Sequence, residues 1–60
     1  MAGLDPETIR ILRLSRRMSQ KELGEKVGMA QEKISLFERG LQPKPEEVEK
    51  LLNALSGDAA

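Results

Sequence analysis

Apolar positions along the chain fall into short groups with helical spacing, and no segment alternates with the period of two that a half-buried strand requires. Ile9 with Leu12, Leu23 with Val27, Ile34 with Phe37, and Val48, Leu51, Leu52 and Leu55 stand three or four residues apart within each group or adjacent on one stripe. Each group therefore lines one face of a helix. The spacing predicts helices over about 6–16, 20–27, 30–39 and 45–55 within one domain covering residues 1–60. Arg13 shares the inner face of the first helix, Ile11 and Leu14 are offset from it, and Met18 enters the second helix as a packing residue.

The punctuation between these groups is equally specific. Asp5, Pro6 and Glu7 read as a helix start, with Asp5 placed to cap free N–H groups and Pro6 preset for the first helical position. Ser19 and Glu22 have the spacing of a capping box, which fixes where the second helix begins. Gly28 can supply the positive φ of a tight turn, and Gly40 can close the third helix as a left-handed cap. Gly24 lies in mid-helix, at a cost of about 1 kcal/mol against alanine. That cost suits a place where another helix crosses closely. Ala30, ahead of the third helix, has no side-chain acceptor to offer. Leu41 to Lys44 leads to Pro45, which opens the fourth helix with Glu46 and Glu47 in its first turn; Ser56 and Gly57 end it. Residues 1–4 are expected to be a frayed end.

Composition narrows the chemistry. The chain of 60 residues contains no cysteine and no histidine, so zinc fingers, disulfides and thiol or imidazole catalysis are excluded on inventory. With no tyrosine either, and no phosphate-cradling glycine loop, an enzyme is not expected, nor is any cofactor, metal or small-molecule ligand. No apolar run is long enough to span a membrane, so the expected setting is a soluble, cytoplasmic protein. Ten basic and ten acidic residues cancel. They are not evenly spread: residues 1–30 hold six basic and four acidic groups, and residues 31–60 hold four basic and six acidic. Arg10, Arg13, Arg16, Arg17 and Lys21 form a basic cluster around the end of the first helix and the start of the second.

Gln20, Gly24, Gly28, Ile34 and Phe37, with Arg13 before them and Glu38-Arg39-Gly40, Pro45, Val48, Leu51, Leu52 and Leu55 after them, resemble the phage repressor and Cro-type, or Xre-like, helix-turn-helix family. The resemblance implies an all-α, four-helix, lambda-repressor-like domain with a central helix-turn-helix, here lacking the usual fifth helix. It implies sequence-specific binding of double-stranded DNA at a palindromic operator, by a bacterial, archaeal or phage-encoded transcriptional regulator acting as a homodimer or as part of a larger protein. Gln31, Glu32 and Leu36 fall at base-contacting positions. Their side chains suit adenine, cytosine N4 and the thymine methyl in turn. Gln20, Arg13, Arg16, Lys21, Lys33, Arg39 and Lys44 are the expected phosphate contacts, and Arg13 with Glu38 the expected buried ion pair.

Some residues depart from the family's pattern. Glu32 sets an anion against a polyanion, and Glu46 stands just after Pro45, where some members place a cation. With the neutral overall charge, these favour a second reading, a protein-interaction or oligomerisation module of the same fold with little affinity for DNA.

Overall fold

A computed structural model describes residues 4–56. Four helices follow in order: α1 (Pro6–Ser15), α2 (Gln20–Val27), α3 (Gln31–Arg39) and α4 (Pro45–Leu55). Their bounds agree with the spacing to within one residue at either end. α3 lies against α1 and α2, and α4 also packs against α1 and α2. Ile9, Leu23, Val27, Ile34, Phe37, Leu51 and Leu55 form the shared core, and Leu12, Met18, Met29 and Ala54 pack around it. Each fully buried aliphatic or aromatic side chain contributes about 1.5–3 kcal/mol relative to exposure.

Three expectations are corrected. Leu52 does not join the inner stripe of α4: it is 46% exposed, while Ala54 packs against the core. The helical period explains this, since Leu51 and Leu55 share one line and Leu52 is turned about 100° from Leu51. Leu4 is not frayed but packs against the core, half-buried. Asp5 occupies the N-cap of α1 without a side-chain cap bond; its carbonyl accepts from the Ile9 N–H instead. The expected stop at Gly57 lies outside the described residues.

The first three helices end alike. In each, one residue of positive φ turns the chain, and the next N–H donates back to a carbonyl five residues earlier. At Gly28 (φ 73°) the Met29 N–H reaches the Gly24 carbonyl at 2.8 Å, and at Gly40 (φ 125°) the Leu41 N–H reaches Leu36 at 2.9 Å. At the end of α1 the Met18 N–H reaches Arg13 at 3.1 Å. These are Schellman-type closures, which satisfy carbonyls that a helix end would otherwise leave free. The turning residue of α1 is Arg17 (φ 58°), where a side chain adds strain that glycine would avoid.

Gly24 is required by contact. A Cβ built there would lie 2.5 Å from the Met29 carbonyl oxygen and 3.5 Å from backbone atoms of Ala30 and Gln31. What crosses Gly24 so closely is the turn leading into α3, rather than the body of another helix. Gly28 has open space around it, so its demand is conformational only.

Chemical denaturation should separate these effects. Gly24→Ala is expected to cost about 2–3 kcal/mol, because the obstructing atom is backbone and an overpacked site must shift it. Gly28→Ala should cost about 1–2 kcal/mol from the left-handed φ alone. Arg17→Gly should raise stability by about 0.5–1 kcal/mol, the relieved strain being offset in part by the freer unfolded chain.

Candidate nucleic-acid interface

The candidate surface comprises the end of α1, the start of α2 and the outer side of α3, which one polar network holds in register. Arg13 is buried, at 8% exposure, although charged. Its guanidinium meets the Glu38 carboxylate at two points, Nε donating to Oε2 at 2.7 Å and Nη2 to Oε1 at 3.0 Å. Its remaining Nη1 donates to the Met18 carbonyl at 2.9 Å, and the Met18 N–H returns to the Arg13 carbonyl at 3.1 Å. Gln20 Nε2 donates to Glu38 Oε1 at 3.2 Å. α1, the α1–α2 corner, α2 and α3 are thus tied to a single carboxylate. Paired forks of this kind combine charge with fixed direction.

The electrostatics follow from this geometry. Burial pushes the Glu38 carboxyl up, but the hydrogen bonds from Arg13 and Gln20 and the charges of Arg13 and Arg10 outweigh it, so the group sits below its ordinary value near 4.5. Arg13 is held more firmly protonated, chiefly by its hydrogen bond to Glu38 and against the pull of burial.

The start of α2 has the capping box its sequence spells. The Glu22 N–H donates to Ser19 Oγ at 3.0 Å, and the Ser19 N–H donates to Glu22 Oε1 at 2.8 Å. α3 starts at Ala30 with no side-chain cap.

On α3, Ile34 and Phe37 are fully buried, while Gln31, Glu32, Leu36 and Arg39 are exposed. Leu36 keeps 45% of its surface in water although it is a large aliphatic side chain. Ser35 stands four residues from both Gln31 and Arg39, hence in the middle of the same outer face. Helical register puts Ser35 among the outward residues of the third helix, and in the structure it is half-buried there.

The expected phosphate contacts divide. Lys21, Arg39 and Lys44 are exposed. Lys21 follows Gln20 and Arg39 follows Glu38 in the chain. Arg13 itself is turned inward with every nitrogen of its guanidinium occupied, so its place is structural rather than at the surface. Arg16 is also engaged: Nε donates to the Leu55 carbonyl at 2.8 Å and Nη2 to the Ser56 carbonyl at 2.7 Å. It caps the end of α4, where cationic donors are favourable, and joins the ends of the first and last helices. Lys33 pairs with Glu47 at 3.0 Å and lies 5.9 Å from the Phe37 ring centroid, so its ammonium is turned toward α4. The Glu47 carboxyl is lowered, first by the Lys44 N–H and then by Lys33. Gln20 is half-buried with its amide N–H on Glu38.

Among the described residues no group of acidic side chains could hold a metal ion, and no helix is long and apolar enough to cross a membrane.

Glu38→Gln should lower stability by about 2 kcal/mol at neutral pH, since it leaves Arg13 buried against a neutral amide. The pH dependence carries its own sign. A depressed carboxyl pKa contributes stability that is complete above the unfolded value and is lost as pH falls through the folded one. Wild-type stability should therefore decline from about pH 4.5 downward. Denaturation midpoints across that range should fall less steeply in Glu38→Gln.

A family model described as a helix-turn-helix domain matches residues 7–60. Comparison with curated proteins gave no match, and neither did comparison with solved structures.

Proposed function

Since the chain belongs to the helix-turn-helix domain family, we propose that it binds double-stranded DNA sequence-specifically, as a transcriptional regulator, with α3 as its reading helix. The observation that carries this reading is the outer face of α3. Gln31, Glu32 and Leu36 stand exposed there together. A helix of this diameter fits the major groove, where donor and acceptor patterns distinguish all four base pairs. Gln31 can bond adenine through two atoms, Glu32 can accept from cytosine N4, and Leu36 can pack on a thymine methyl. Ser35, between them, can donate or accept.

Phosphate binding falls to Lys21, Arg39 and Lys44. The free N–H groups at the start of α2 add to it, with Gln20 at their edge. Arg13 serves by fixing α2 against α3, and Arg16 by fixing α4 against α1. An operator with two half-sites one helical turn apart, about 34 Å, would be read by two copies of the chain. The protein-interaction reading is favoured by the zero net charge and by Glu32 on the same exposed face; weak contact with phosphate is what those charges would produce.

Fluorescence anisotropy with duplex DNA across a range of salt concentrations decides between the two. Binding should weaken with salt, with a log–log slope of about −0.9 for each phosphate neutralised. Lys21→Ala and Arg39→Ala should each flatten that slope by about one contact. Arg16→Ala should leave the slope unchanged and lower thermal stability instead. Salt-independent or absent binding by a folded chain would favour the protein-interaction module. Selection from randomised duplexes should then return a site whose preferences relax at one position in Gln31→Ala and at another in Glu32→Ala.

A further inference from the structure

We infer that the groove between α2 and α4 is a docking site for an acidic peptide segment of a partner protein carrying an apolar anchor residue. The groove is a cavity of about 410 Å³ lined by Lys26, Val27, Lys50, Asn53 and Ala54, a volume within the range of small-ligand and side-chain pockets. Val27 and Ala54 supply an apolar floor that also belongs to the core margin. Asn53, exposed on α4, offers both a donor and an acceptor to a peptide backbone.

The two lysines determine the charge of the occupant. Neither the Lys26 nor the Lys50 ammonium has an ion pair or hydrogen bond among the described residues. The carboxylates at helical spacing do not neutralise them: Glu22 and Glu47 are committed elsewhere, and Glu46, four residues before Lys50, forms no ion pair with it. Glu22, four residues before Lys26, accepts from the Ser19 N–H. Glu47, three residues before Lys50, accepts from the Lys44 N–H and pairs with Lys33. In a chain whose charges balance overall, two unneutralised cations from different helices at one apolar groove favour an anionic occupant with an apolar centre. Complementary charge at an interface rim sets approach and register, while the buried anchor holds the complex.

The groove is separate from the proposed reading face. Gly24 faces the turn into α3, and Lys26, two residues on, lies on the nearly opposite flank of α2. An occupant between α2 and α4 would leave the outer side of α3 free. The inference is therefore independent of whether the chain binds DNA.

The test is an amide-resolved NMR titration of the whole chain, without DNA, using the synthetic peptide Glu-Asp-Leu-Phe-Asp-Glu. Shifts should concentrate at Lys26, Val27, Lys50, Asn53 and Ala54. Lys26→Glu with Lys50→Glu should weaken binding by at least about tenfold, the fold being checked by circular dichroism. The corresponding peptide with Gln and Asn in place of Glu and Asp should bind more weakly by a similar factor. Equal binding of the neutral peptide, equal binding by the double variant, or shifts centred on Lys21 and Arg39 would overturn the proposal. So would groove shifts produced by duplex DNA in place of the peptide, which would make the occupant a nucleic acid.

Discussion

At the start of α2, the angle between α2 and α3 is set through the carboxylate of Glu38. Its two oxygens accept from Arg13 and Gln20, and through Arg13 they reach the Met18 carbonyl. A core of this size has few side chains with which to fix helix orientation, because a domain of about 60 residues buries only about 60% of its unfolded surface. Apolar packing is tolerant of small rotations, whereas a two-point guanidinium–carboxylate contact is directional. The network therefore does for direction what Ile34, Phe37 and Leu23 do for cohesion. Burying it carries a desolvation penalty, so its value lies in which arrangement it selects as much as in net stability.

The second constraint is steric. Because the turn carbonyl of Met29 passes where a side chain at Gly24 would stand, the two helices on either side can be joined by a very short connection. The left-handed φ at Gly28 reverses the chain, and the hydrogen bond from Met29 to Gly24 locks the reversal. Network and turn act at opposite ends of α2, and a rod held at both ends has little freedom to rock against its neighbour. That rigidity is what projects Gln31, Ser35 and Leu36 outward as one surface.

Much of this was legible in the chain because its signals are local. The Ser19–Glu22 box, Pro6, Pro45, Gly28 and Gly40 each act within a turn or two, and helical spacing identified most of the core directly. The pairing of Arg13 with Glu38 came from the family resemblance, since no local rule links residues 25 positions apart. Arg16 and Lys33 look like free surface cations in the sequence, but carbonyls of α4 and the carboxylate of Glu47 lie within their reach in space. Arg17 was invisible as a turning residue because it is not glycine. Leu52 was grouped with its neighbours although a helix cannot point adjacent residues the same way.

The Arg16 contact has a consequence for how this fold can vary. Its acceptors are main-chain oxygens at Leu55 and Ser56, and every amino acid carries such an oxygen. The latch between the first and last helices thus depends on one side chain at α1 and on no side-chain identity at the end of α4. Sequence drift at Ser56, or a different continuation of the chain beyond it, would meet the same fastening. The tail of the domain is in this sense an open socket, indifferent to what is joined to it so long as the final turn of α4 keeps its shape.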